Sequence, residues 1–175
     1  MAIRRRRLLA AMPALASLSA CDASPGLLRF PDVEAAIVAV QRLASGHRST
    51  GAWSLAQVLD HAAQSVEFSL RGFPQLKSSL YRATVGPAAF AYFDARGRMQ
   101  HGLAEAIPGA PPLDTVLPAA IERLVRALRQ FQAHTGSLHP HFAYGALDKT
   151  QYLRAHLMHL ANHWDEVAAA RGDKP

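Results

Sequence analysis

The stretch from Asp148 to Arg171, DKTQYLRAHLMHLANHWDEVAAAR, decides how this chain is read. An α-helix turns about 100° per residue, so His159 and His163, four apart, lie one above the other on a single face, and His156 sits one turn earlier on the same stripe. Asp148 with Gln151 three residues later is a capping-box start for that helix. Two imidazoles at HxxxH spacing can grip one metal ion, but a usable site needs a third ligand from elsewhere in the chain. The helix thus demands partners to bury its face and one more inward-facing donor.

With 175 residues, half of them hydrophobic and 18% charged, the chain fits one globular domain with its own core. The formal charge of +6 suggests an acidic partner at first sight, but Arg4, Arg5, Arg6 and Arg7 supply much of it. Without them fifteen Lys and Arg face thirteen Asp and Glu, about +2, and the case for nucleic acid falls away. Those arginines open a leader: a basic start, an apolar run from Leu8 to Ala20, then Leu18-Ser19-Ala20-Cys21. Thirteen apolar residues are too few for a permanent span, which needs about twenty. Leu-Ser-Ala-Cys resembles a bacterial lipobox, with Cys21 as the lipidated residue. RRRRLL resembles a twin-arginine signal without its usual flanking residues, so the export route stays open between the two systems. Asp22 resembles an inner-membrane retention signal. The expectation is a signal peptide over 1–21, a tether over 22–31, a helical domain over 32–175, and an exported, periplasmic lipoprotein held to the membrane through Cys21. With that single cysteine the domain contains no disulfide.

The rest of the chain supplies the helical partners. Asp32 caps a helix from Val33 to about Ser45, closed by Gly46, with Val33, Ile37 and Val40 as its apolar stripe. Ser54 and Gln57 form a capping box for a second helix, Leu55 to Arg71, stopped by Gly72 and Pro74. Trp53 precedes that cap and reads as a staple against the first turn. A third helix runs from about Thr115 to His134 with Asp114 as its cap and Pro118 in its first turn. On it Arg123, Arg126 and Arg129 form a solvated face; with no aromatic stacking groups among them, they do not make a nucleic-acid site. Between the second and third helices, residues 72–113 form a connection far longer than usual, with short helices over Leu76–Tyr81 and Pro87–Phe93. It either spans the bundle or covers one end as a lid that brings Lys77, Tyr81, Arg82 or His101 near a site. The fold class is all-α: a four-helix bundle with a long crossover between helices 2 and 3.

His61 lies on the inward stripe of the second helix, as either a hydrogen-bonded core histidine or the missing ligand. Taken with the HxxxH of the last helix it completes a set: His61, His159 and His163, three neutral imidazoles with a coordination position left open. His156, His139 and His101 are candidates for the surrounding shell or for acid–base work, and His139 and His141, which flank Pro140, either line the site or are polar loop residues. The HLANH segment lacks the Glu of HExxH, which speaks against a zincin protease.

A tryptophan-led helix with an inward histidine (Trp53, His61), a long crossover and a last helix carrying HxxxH resemble the DinB-like or YfiT-like superfamily of four-helix metalloproteins. The stretches RGFPQLKSSLYRATVG, ARGRMQHGLAEAIPGAPPL and HPHFAYGAL resemble an exported, uncharacterised branch of it, over roughly Pro31 to Arg171. The resemblance implies one divalent ion, zinc, nickel or iron, on His61, His159 and His163. It also implies thiol-dependent transferase or isomerase chemistry, although Trp164-Asp165 after His163 departs from the tail seen in many relatives. Low-molecular-weight thiols are cytoplasmic, so an exported member points instead to another reaction on a small molecule, such as hydrolysis. The readings that follow are a metal-dependent transferase or hydrolase, a non-catalytic lipoprotein that binds a metal or ligand, and a structural bundle whose histidines are core residues. An apolar flank would allow a homodimer.

Overall fold

A computed structural model describes residues 26–170, so the expected leader over 1–21 and its Cys21 lie outside the described residues. Asp32 accepts from the Ala35 N–H at 2.8 Å and starts α1, Val33–Arg42, which buries Val33, Ala36, Ile37 and Val40. α2, Leu55–Arg71, opens with the expected capping box: the Gln57 N–H donates to Ser54 Oγ at 3.2 Å, and the Ser54 N–H to Gln57 Oε1 at 2.9 Å. Thirteen of its seventeen residues are buried, which makes it the central helix. It ends at Gly72, whose φ of +100° only glycine adopts without strain.

The long connection carries α3, Ser79–Ala83, which lies to the C-terminal side of the expected Leu76–Tyr81 helix, and α4, Val85–Arg96, which extends the expected Pro87–Phe93 helix at both ends. Pro87 falls in the first turn of α4, where its missing N–H has no helical acceptor to serve. α5 spans Leu117–Ala133 and starts two residues later than expected; Val116, not Asp114, occupies the cap position. A start at Thr115 would have put Pro118 where an N–H is needed for the Asp114 carbonyl, so the proline fixes the later start. Arg123 corrects the solvated-face reading of that helix. It donates to Asp60 at 2.7 Å and to Glu67 at 3.0 and 2.7 Å, tying α5 to α2.

α6 covers Lys149–His163, with Asp148 and Gln151 in the expected capping box. It does not continue to Arg171. Trp164–Glu166 form one 3-10 turn, and Val167–Ala169 become a strand, β2, antiparallel to β1 at His47–Ser49 with His47 opposite Ala169. Acidic Asp165 and Glu166 oppose the dipole at a helix C-terminus, and the strand offers the backbone other partners: the Thr50 N–H donates to the Glu166 carbonyl and the Ala170 N–H to that of Gly46, both at 2.8 Å.

The architecture is therefore all-α apart from this two-stranded ribbon. The main helix contacts run α1 to α5 to α2 to α6 to α4. One apolar core, with Leu59, Leu124, Phe131 and Leu157 at its centre, fills the space between the first four of these. The described part of the expected tether lies on the domain: Phe30 is buried with its ring edge-on to Trp164 at 5.1 Å, and Arg29 pairs with Asp165 at 2.9 Å. No helix among the described residues is long and apolar enough to cross a membrane.

Candidate metal centre

α2 and α6 pack directly, and this brings His61 opposite the HxxxH turn of α6. His61 Nε2 stands 3.1 Å from His159 Nε2, and His163 Nε2 stands 3.2 Å from the same atom. The three residues are 3%, 9% and 1% exposed, and a donor atom from each lies within 4.8 Å of the others. Metal–imidazole bonds of about 2.0–2.1 Å at a tetrahedral angle separate their nitrogens by about 3.3 Å. The observed spacing is close to that value.

Hydrogen bonding alone does not account for the cluster. Neutral imidazole Nε2 carries either one proton or one lone pair, so His159 Nε2 can serve one in-line neighbour and not two. An added proton is disfavoured as well: burial first, then the repulsion of neighbouring imidazoles, pushes His61 down to about 4 and His163 to about 3, and holds His159 well below its ordinary 6.5. Near neutral pH the three rings are uncharged, with lone pairs to offer. This buried group can hold a metal ion.

Nδ1 of His61 and Nδ1 of His163 are buried without a hydrogen-bond partner among the described residues. Ligating histidines usually donate this N–H to a carboxylate or carbonyl; here ring packing sets their orientation. The Trp53 indole lies edge-on to His61 at 5.0 Å and parallel to His163 at 6.2 Å. The residue expected to staple the start of α2 thus also walls the histidine cluster. Its position one residue before the cap points to the helix, and only the family resemblance sets it beside His61 in the sequence.

A fourth imidazole arrives from the crossover. His101 has its ring centroid 4.8 Å from that of His159 and 5.1 Å from that of His163. Its Nδ1–H donates to the Gly102 carbonyl at 2.9 Å, which leaves the Nε2 lone pair without a partner among the described residues. Burial lowers its pKa, partly offset by that carbonyl and by the charge of Glu105. His61, His159 and His101 open onto a cavity of about 370 Å³ between α2, α6 and the crossover. Lys77 and Tyr81 line the same cavity.

His156 and His139 are not placed with the cluster. His156 Nε2 donates to Ser69 Oγ at 3.2 Å, and its ring packs parallel to Tyr152 and edge-on to Phe131, so the shared helical stripe resolves into a core side chain one turn below the site. His139 is exposed, and what it contributes is backbone: its N–H donates to the Ser69 carbonyl and its carbonyl accepts from Tyr152 Oη at 2.6 Å. His141 is buried and lines the cavity.

No curated protein and no solved structure matches the chain. The profile of one sequence family, described as Protein of unknown function (DUF1569), matches residues 23–170, and the chain belongs to that family.

Proposed function

We propose that the chain is a divalent-metal enzyme of DinB-like type, in which His61, His159 and His163 hold one ion, zinc, nickel or iron, and a small molecule reacts in the adjoining cavity by hydrolysis or group transfer. The observation that carries this reading is the convergence of three buried, uncharged Nε2 atoms at 3.1–3.2 Å beside a cavity. An ion bound there would supply Lewis acidity, polarising an atom that reaches its open side and lowering the pKa of that atom's proton. The residues do the rest. Trp53 holds the rings of His61 and His163 in place. His101 is the proton acceptor: its Nδ1–H is engaged by Gly102, so its free lone pair is on Nε2, beside the cluster.

The DinB-like assignment is supported by the Trp-led α2, the long crossover and the HxxxH on the last helix. Export as a lipid-anchored protein is supported by the basic, apolar leader that ends at Cys21. That compartment favours hydrolysis over chemistry with a cytoplasmic thiol.

Elemental analysis of the purified chain tests the reading, with about one ion per chain expected. The His159→Ala, His163→Ala double variant should lose the ion while keeping its helical circular dichroism. Equal metal content in the variant would overturn the ligand assignment. Across a hydrolase and transferase panel, His101→Ala should lose turnover and retain the ion; turnover unchanged by that substitution would remove its role as proton acceptor.

A further inference from the structure

The cavity has a second polar end that the metal reading leaves unused. His141, 8% exposed, starts a tight loop closed on Gly145, with main-chain bonds of 2.8 and 3.2 Å in the two directions. Its Nδ1 accepts from the N–H groups of Ala143 at 3.2 Å and Tyr144 at 3.1 Å. Neutral imidazole has a single acceptor nitrogen, so these two bonds place the ring proton on Nε2. Burial, then the nearness of His156, keeps the ring neutral by lowering its pKa to about 3. Tyr144 stacks on it at 4.3 Å and 9°, and Phe73 meets it edge-on at 5.0 Å, so the ring cannot turn away. The Nε2–H has no acceptor among the described residues, although the side chain lines the cavity.

Lys77 lies at the same end. Its backbone N–H donates to the Phe142 carbonyl at 2.9 Å, and Nζ sits 5.1 Å from the centre of the Tyr81 ring, where a cation is favoured. No carboxylate pairs with it among the described residues. Glu105, the carboxylate on the cavity wall, interacts with His101 at the other end. Between the two ends the wall is apolar, with Phe93, Met99, Ile107 and Ala155 among its residues.

We propose that His141 and Lys77 form an anion subsite that takes the carboxylate of a small, largely apolar monoanion, one oxygen accepting from His141 Nε2–H and the charge facing Lys77. One fixed neutral donor and one cation match a single negative charge. The His141 ring packs against Tyr152 at 6.1 Å, and Tyr152 precedes His159 by seven residues of α6, about 10 Å along the helix. Allowing about 3 Å for a hydrogen bond and about 2 Å for a bond to an ion leaves room for a body of about five carbons. Only this direction of the body, toward the histidine cluster, rests on the metal reading; the subsite itself does not.

The test uses hexanoate as probe and hexanol as its uncharged counterpart, titrated by calorimetry into chelator-treated chain so that no ion contributes. Hexanoate should bind saturably and at least tenfold more tightly than hexanol, and should shift the His141 Nε2 signal in nitrogen NMR. Lys77→Met, an exposed substitution compatible with folding, should weaken hexanoate at least tenfold with metal loading unchanged; His141→Phe should do the same if it folds. Absence of hexanoate binding, equal binding of hexanol, or full affinity in Lys77→Met would each overturn the subsite. Hexanoate binding in a chain that fails to load metal would support the subsite and count only against the metal reading.

Discussion

Replacing His156 by Gln isolates the cost of burying a neutral imidazole in this core. His156 is 5% exposed, and burial pushes its pKa down to about 3 from the ordinary 6.5 it regains in the unfolded chain. Below pH 6.5 the unfolded chain takes up a proton here that the folded chain refuses until about pH 3. The folded pKa is the lower one, so this contribution is level above pH 7 and stability falls on acidification by about 1.4 kcal/mol per pH unit. From pH 7 to pH 5 the site costs about 2 kcal/mol, a figure that hardly depends on how far below 4 the folded value lies. Gln does not titrate and keeps an N–H for Ser69 Oγ; its lost packing on Phe131 and Tyr152 weighs equally at both pH values and cancels in the comparison. Urea unfolding with chelator present, at pH 7 and pH 5, should show wild type losing about 2 kcal/mol more than the variant between the two. Equal losses would refute the neutral, buried state of His156.

Arg123→Met leaves Asp60, 2% exposed, without its cation, and should cost about 3 kcal/mol in a denaturant titration; a loss under about 1 kcal/mol would show the bridge to be dispensable. Asp148→Ala removes the acceptor of the Gln151 N–H at 2.8 Å and should lower stability by about 1 kcal/mol, read as a drop in Tm. Trp53→Leu should weaken metal affinity about tenfold in a chelator competition, because the rings of His61 and His163 lose the wall that orients them. Unchanged affinity would mean that the backbone alone sets the ligand geometry.

What the sequence made legible was local in origin. Ser54, Gln57 and Gly72 mark the bounds of α2, and Asp148 with Gln151 marks the start of α6, because caps act on neighbouring backbone groups. The convergence of His61 with the HxxxH pair followed from helical phase once both helices were placed facing inward. The features that escaped depend on distant partners. The end of α6 at His163 is set by pairing of Val167–Ala169 with His47–Ser49, more than a hundred residues earlier, and no alternation in three residues announces a strand. Arg123 looks like its neighbours Arg126 and Arg129 along the chain, and only the position of Asp60 and Glu67 on α2 singles it out. His156 shares the stripe of His159 but meets Ser69 and not the cavity, a distinction of one helical turn that periodicity cannot make. His101 comes from a segment without periodicity, so only its chemistry marked it beforehand.

X-ray absorption at the zinc edge of the zinc-loaded chain examines the three-histidine centre most directly. The convergence of Nε2 atoms from His61, His159 and His163 predicts a first shell with three imidazole nitrogens at about 2.0–2.1 Å and one non-imidazole position, reduced to two imidazoles in His61→Ala. A shell dominated by oxygen, or a spectrum unaltered by His61→Ala, would contradict it.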